Sequence, residues 1–254
     1  MNLIGPTENR LLEGKRAGTH LAALIDPDNF DSRKAAVVAK KCVSHGFSCV
    51  LIGGSTLGDQ SHLDEVVRAT KKYVTCPVIL FPGNVTGISR YADAILFSSL
   101  LNSTNTYFLI GAQAIGSIQV SRYGIEAIPM GYLVFGDEST TSFVGQVRPI
   151  PYSKPAIAVM YAMAAQYLGM RALYLEAGSG SKNPMPFELV REVRKRFTGL
   201  LIVGGGITNS ETATALQKSG ADLLVIGNLL ESSDFERKIS AIAKSLGDNL
   251  KVKH

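Results

Sequence analysis

The sequence predicts a (β/α)8 barrel, on three observations. Apolar runs of strand length recur eight times, amphipathic stretches of helical period separate most of them, and no GxGxxG follows the first run, which disfavours an open doubly wound sheet. With 254 residues, 46% hydrophobic and 19% charged, the chain can bury one substantial core, so a single domain over residues 1–254 is expected.

Taken in order, a short helix at about 6–14 precedes the first strand and is placed to plug the stability face of the barrel. The strands are expected at 21–25, 49–52, 78–81, 94–97, 127–134, 172–175, 200–203 and 223–226. Helical periods fall at 33–45, 63–73, 107–120, 156–168, 187–197 and 211–219. Only residues 82–93 separate strands three and four. They contain Pro82, Gly83 and Gly87, which leaves too little room for a crossover helix of about ten residues, so the helix after strand three is missing or replaced. The stretch at about 136–155, rich in Ser, Thr, Gly and Pro, is too long for an ordinary βα loop and reads as a lid, a substrate wall or a subunit contact.

The net charge of +5 comes without a Lys/Arg-rich block interleaved with aromatics, so it reads as a solvated basic surface and not as a nucleic-acid site. Cys42, Cys49 and Cys76 are odd in number, lack CxxC spacing and lie among apolar residues, as buried thiols of a reducing cytosol do. His20, His45, His62 and His254 form no metal pattern. No apolar stretch approaches the roughly 18 residues of a membrane span, so a soluble, cytoplasmic protein with no integral membrane segment is expected.

In a barrel the residues that follow each strand face the active site. After strand seven comes Gly204-Gly205-Gly206-Ile207-Thr208, and after strand eight Gly227-Asn228. Such glycines can be mere turns. At strands seven and eight they also match the commonest barrel phosphate site, where backbone N–H groups approach an anion at a helix N-terminus. Strand six ends in Tyr174-Leu175-Glu176-Ala177-Gly178-Ser179-Gly180. Alternation puts Tyr174 and Glu176 on one side and Leu175 on the other. Glu176 can then bind a substrate hydroxyl or take its proton, or else pair structurally with a Lys or Arg. Strand one ends in Asp26-Pro27-Asp28, carboxylates on a stiff turn that suit magnesium bridged to substrate phosphates, although Asp28 can equally cap the next helix. After strand two, Gly53-Gly54-Ser55-Thr56 places hydroxyls on the same rim.

The segments IDPD, GGST, LFPGN, SLLNSTNTYFLIGAQ, YLEAGSG, VGGGI and IGN, spread in this order from Ile25 to Asn228, resemble the geranylgeranylglyceryl phosphate synthases and their bacterial heptaprenyl relatives. The resemblance implies a TIM-barrel prenyltransferase that moves a geranylgeranyl group from its diphosphate to the primary hydroxyl of sn-glycerol 1-phosphate, with Mg2+, in archaeal ether-lipid synthesis. It implies Asp26 and Ser55 as magnesium ligands. Tyr174, Leu175, Glu176, Ala177, Gly178, Ser179 and Gly180, with Gly205, Gly206, Gly227 and Asn228, become the glycerol phosphate site, with Glu176 catalytic. Leu24 stands where the bacterial branch has a lysine, which points to the archaeal branch. An apolar groove beside the missing helix, walled by Phe97, Leu100, Leu101, Tyr107 and Phe108, would take the prenyl tail, unless these are ordinary packing residues. The alternatives are a longer heptaprenyl donor, an isomerase or lyase on a phosphorylated substrate, or a non-catalytic phosphate-binding barrel. Homo-oligomerisation is expected, with Phe143 as one exposed contact.

Overall fold

A computed structural model describes residues 4–54, 58–137, 139–178, 181 and 183–251. Eight parallel strands pair in chain order and close on themselves: β1 His20–Ile25, β2 Cys49–Ile52, β3 Val78–Leu80, β4 Ala94–Leu100, β5 Glu126–Val134, β6 Ala172–Glu176, β7 Leu200–Gly204 and β8 Leu223–Ile226. The closing pair sets His20 against Leu223, and β4 with β5 forms the longest ladder, from Ala94 opposite Glu126 to Leu100 opposite Tyr132. The strands are apolar on both faces because both are covered. Ala22, Leu51, Ile79, Leu96, Ile128, Tyr174, Ile202 and Val225 fill the barrel, whereas Val50, Leu80, Leu173, Leu175, Val203 and Leu224 meet the helices outside.

Helix α1, Pro6–Ala17, lies at the N-terminal ends of the strands. Pro6 fits the first turn, where its missing N–H costs nothing. The Glu126 carboxylate, at the start of β5, accepts from the N–H groups of Thr7 at 2.7 Å and Glu8 at 2.8 Å. Leu11 joins the side chains inside the barrel, burial that contributes roughly 1.5–3 kcal/mol. The expected plug is therefore present, three residues longer than the sequence pattern indicated.

Helices α2 Ser32–Ser44, α3 Gln60–Tyr73, α4 Ala112–Tyr123, α6 Pro155–Tyr167, α7 Phe187–Arg194 and α8 Ser210–Lys218 follow the predicted periods. A final helix, α9 Phe235–Lys251, absent from the sequence expectation, closes the outer layer against α8 and α2. Between β3 and β4 there is only a 3-10 turn, Val85–Gly87, so the missing outer helix is observed. Helix α4 does not run unbroken from Tyr107. Tyr107–Gly111 is a π-helical turn, and its carbonyls are taken up by side chains: Ser99 donates to Leu109 O at 2.7 Å, and Gln113 Nε2 to Phe108 O at 3.1 Å.

The long segment after β5 is a wall. It carries a short helix, α5 Thr140–Val144, started by reciprocal hydrogen bonds between Ser139 and Ser142. The buried Asn102 amide ties it to the barrel, donating to Val134 O at 2.8 Å and Arg148 O at 3.0 Å. Cys42, Cys49 and Cys76 are buried thiols, and burial pushes Cys42 and Cys49 up to about 12. Among the described residues no helix is long and apolar enough to cross a membrane.

Candidate active site

The C-terminal ends of the strands surround a cavity that Asp26, Tyr174, Glu176, Gly205, Gly206, Gly227 and Asn228 all line. Asp26 leaves β1 half-buried. Its Oδ1 accepts from the Asp28 N–H at 3.0 Å, and its carbonyl accepts from the Asn29 N–H at 3.0 Å, so the turn closes on itself. Burial holds this carboxyl above its ordinary range, aided by the negative charges of Asp28 and Glu231, while the Asp28 N–H pulls the other way. Gly54 packs on the same carboxylate, and a side chain there would strike it. Asp28 is exposed and does not cap α2: Asp31 does, accepting from the Lys34 N–H at 2.8 Å. Ser55 lies outside the described residues, as do Ser179 and Gly180.

Strand β6 alternates as its sequence requires. Tyr174 is wholly buried inside the barrel, Glu176 reaches the cavity, and Leu175 points outward into the helical layer. The Leu175 side chain therefore does not line the cavity, and neither do Ala177, buried in the same outer layer, or Gly178. Gly178 still touches the site, since its N–H donates to Glu176 Oε1 at 2.8 Å. The Tyr174 hydroxyl is a second partner of Glu176. Burial pushes the Glu176 carboxyl up to about 7, against the pull of these two hydrogen bonds. Among the described residues neither Asp26 nor Glu176 has an ion-pair partner.

Gly205 and Gly206 take φ of 87° and 68°, a left-handed conformation that favours glycine. Packing demands the same residue: a Cβ on Gly205 would lie 2.7 Å from Glu176 Oε1, and one on Gly206 2.6 Å from the Asn183 carbonyl. Leu24 closes this side of the cavity against Gly227. Among the described residues no Lys or Arg lines the cavity. Main-chain N–H groups and the N-terminal end of α8 behind Thr208 are the features here suited to an anion.

Asp26, one of the two carboxylates that line the cavity, fits magnesium, which keeps several waters and borrows substrate oxygens. It would not suit an ion that needs an all-protein cage, and no group of three or more His, Cys, Asp or Glu able to hold a metal occurs among the described residues.

A second, apolar groove runs where the helix after β3 is missing. Pro82, Val85 and Ile88 face Phe108, Ala112 and Gly116 across it, with Phe97 and Leu100 in its lining and Val144 from the long segment. Of the five expected wall residues, Phe97, Leu100 and Phe108 line the groove. Leu101 packs into the outer core, and Tyr107 donates its hydroxyl to Asn84 Oδ1 at 2.6 Å.

Sequence reasoning missed the junction. Phe81, Pro82, Gly83, Tyr132 and Thr141 line both cavities. The rings of Phe81, Tyr132 and Tyr174 form a cluster with centroids 5.0–5.4 Å apart. LFPGN held part of the signal, whereas Tyr132 lies inside an apolar run whose spacing marks only strand.

The profile of the PcrB family matches residues 10–246. The chain is 48% identical over 245 residues to the geranylgeranylglyceryl phosphate synthase of Cenarchaeum symbiosum, covering 96% of this chain and 99% of the relative. It is 49% identical over 234 residues to that of Nitrosopumilus maritimus, covering 92% and 94%. Its structure superposes, with a TM-score of 0.93 and 37% identity, on the crystal structure of the (S)-3-O-geranylgeranylglyceryl phosphate synthase from Thermoplasma acidophilum in complex with its substrate sn-glycerol-1-phosphate, covering 96% of this chain and all of that one.

Proposed function

The chain belongs to the PcrB family, and on that footing we propose that it transfers a geranylgeranyl group from geranylgeranyl diphosphate to the primary hydroxyl of sn-glycerol 1-phosphate, releasing diphosphate. The observation that carries this reading is the meeting of a polar, glycine-walled cavity with an apolar groove at Phe81 and Tyr132.

Gly205, Gly206, Gly227 and Asn228 would hold the phosphate of glycerol phosphate, which presents its hydroxyl to Glu176. With its carboxyl raised to about 7, Glu176 is a stronger base than an ordinary carboxylate and still ionises near neutrality. It accepts the hydroxyl proton as oxygen attacks the allylic carbon. Tyr174 and the Gly178 N–H keep its carboxylate oriented. Asp26 would hold Mg2+, with Ser55 as the further ligand that the family resemblance suggests. When bound, Mg2+ supplies positive charge that neutralises the departing diphosphate. The Phe81 and Tyr132 rings line the place where positive charge develops on the prenyl fragment, and aromatic faces attract cations. At roughly 0.8 kcal/mol per buried methylene, half-burying a twenty-carbon tail in the groove contributes several kcal/mol. Self-association is part of the same reading. It is supported by Phe143, 85% exposed, and by the exposed apolar residues Ile115 and Ile118 on α4 and Met160 and Tyr167 on α6.

The test is incubation with Mg2+, sn-glycerol 1-phosphate and a ladder of prenyl diphosphates, followed by mass analysis. A geranylgeranyl ether of glycerol phosphate is expected as the main product. A heptaprenyl product would move the assignment to the longer donor, and no ether with any donor would overturn it.

A further inference from the structure

The Asp26-Pro27-Asp28 turn receives a side chain from α3. His62, in the first turns of α3, places Nε2 2.8 Å from the Pro27 carbonyl. A carbonyl oxygen can only accept, so Nε2 carries the proton and donates, whatever the state of Nδ1. Pro27 is buried and His62 half-buried. Removing the imidazole would leave a buried carbonyl without its side-chain donor, a loss the turn can relieve by rotating toward water. The turn's own hydrogen bonds, Asp28 N–H to Asp26 Oδ1 and Asn29 N–H to Asp26 O, fix its shape but not its aim, since both lie within residues 26–29. His62 relates this shape to α3, and the Asn29 side chain, donating to Glu231 Oε1 at 3.1 Å, relates its far end to the segment after β8. The neighbours of His62 on α3 make parallel ties elsewhere, Gln60 Nε2 donating to Ile88 O at 2.7 Å and the Ser89 hydroxyl to Asp64 Oδ1 at 2.5 Å, so the start of α3 acts as a clamp on the loops around it.

We propose that His62 is a positioning residue for the cation: by anchoring Pro27 to α3 it aims the Asp26 carboxylate at the diphosphate-bound Mg2+. The inference rests on Asp26 as the cation ligand. It concerns binding, so it can be read without turnover. Residues that orient a metal ligand typically contribute 10–100-fold to affinity.

The experiment titrates Mn2+ into the intact protein with inorganic pyrophosphate present, reading free Mn2+ by electron paramagnetic resonance. Calorimetry measures glycerol 1-phosphate binding in parallel, and thermal melting checks the fold. For His62→Ala, cation affinity is expected to fall roughly tenfold or more, with glycerol phosphate affinity unchanged. For His62→Gln, whose amide N–H can reach the same carbonyl, most of the affinity returns. Wild-type cation affinity in His62→Ala would overturn the proposal. Equal loss of both ligands with no rescue by glutamine would overturn it too, because that is the signature of a merely structural residue. A wild-type protein that binds no Mn2+ would show instead that the cation site itself is misassigned and would take the proposal with it.

Discussion

The two ends of this barrel treat their carboxylates in opposite ways. At the N-terminal end each has partners. Glu8, 2% exposed, receives Arg171 through both oxygens at 2.6 and 2.8 Å. Glu126 caps α1, and Asp222 accepts from Arg194 at 2.7 Å and from the Leu201 N–H at 2.8 Å, with Lys15 at 3.4 Å. At the C-terminal end Asp26 and Glu176 have no ion-pair partner among the described residues, and burial raises both. Charge is neutralised where the fold needs stability and left uncompensated where a substrate or cation can supply the missing partner. The difference teaches that the same residue type serves packing at one end of the barrel and is left open to a ligand at the other.

The largest expected effect comes from removing the uncompensated base. Glu176→Gln should lower kcat by about 10²–10⁴-fold, the usual worth of general base catalysis, with the fold intact. Retained turnover would erase the contrast between the two ends. The same substitution should stabilise the protein above neutrality. The Glu176 carboxyl titrates near 7 in the fold against an ordinary 4.5, so its stabilising neutral form is fully present below pH 4.5 and lost as pH rises through 7. By this linkage wild type forfeits up to about 3 kcal/mol at pH 8, which glutamine does not. Melting at pH 5 and pH 8 checks it: the variant should gain over wild type at pH 8 only.

At the other end, Arg171→Met strands Glu8 and should cost about 3 kcal/mol of stability. Activity measured well below the melting temperature should stay unchanged. A fall in kcat without a fall in melting temperature would mean that the N-terminal end also serves catalysis. The smallest effect sharpens the groove rather than the carboxylates. Gly116 is buried in the groove lining and a Cβ there would already lie 3.1 Å from Ile88 Cδ1, so Gly116→Leu should shift donor preference to shorter prenyl chains while costing about 1–3 kcal/mol of stability through overpacking. Unchanged chain-length preference would separate the groove from the tail.

Much of this was legible in the sequence because parallel barrel strands, covered on both faces, are written as apolar runs. The missing helix was legible as a count of residues between β3 and β4. Helix α9 was equally written, in Phe235, Ile239, Ile242 and Leu246, yet it follows the last strand, where no further strand marks it as a crossover. The π-helical turn was not legible, since it depends on Ser99 and Gln113 reaching carbonyls that sequence spacing does not bring together. In the site, strand ends and alternation placed Asp26, Tyr174, Glu176 and the glycines, and set Leu175 outside. Tyr132 and Thr141 escaped because they belong to a strand interior and a long wall, and only the closed barrel brings them beside Phe81.

The pH dependence of kcat/KM tests most directly whether the uncompensated end performs the chemistry. If Glu176 is the base, kcat/KM falls as pH drops through about 7, the value to which burial raises its carboxyl, and this limb is absent from the residual activity of Glu176→Gln. A wild-type profile that stays flat down to pH 5, or the same limb in the glutamine variant, would contradict it.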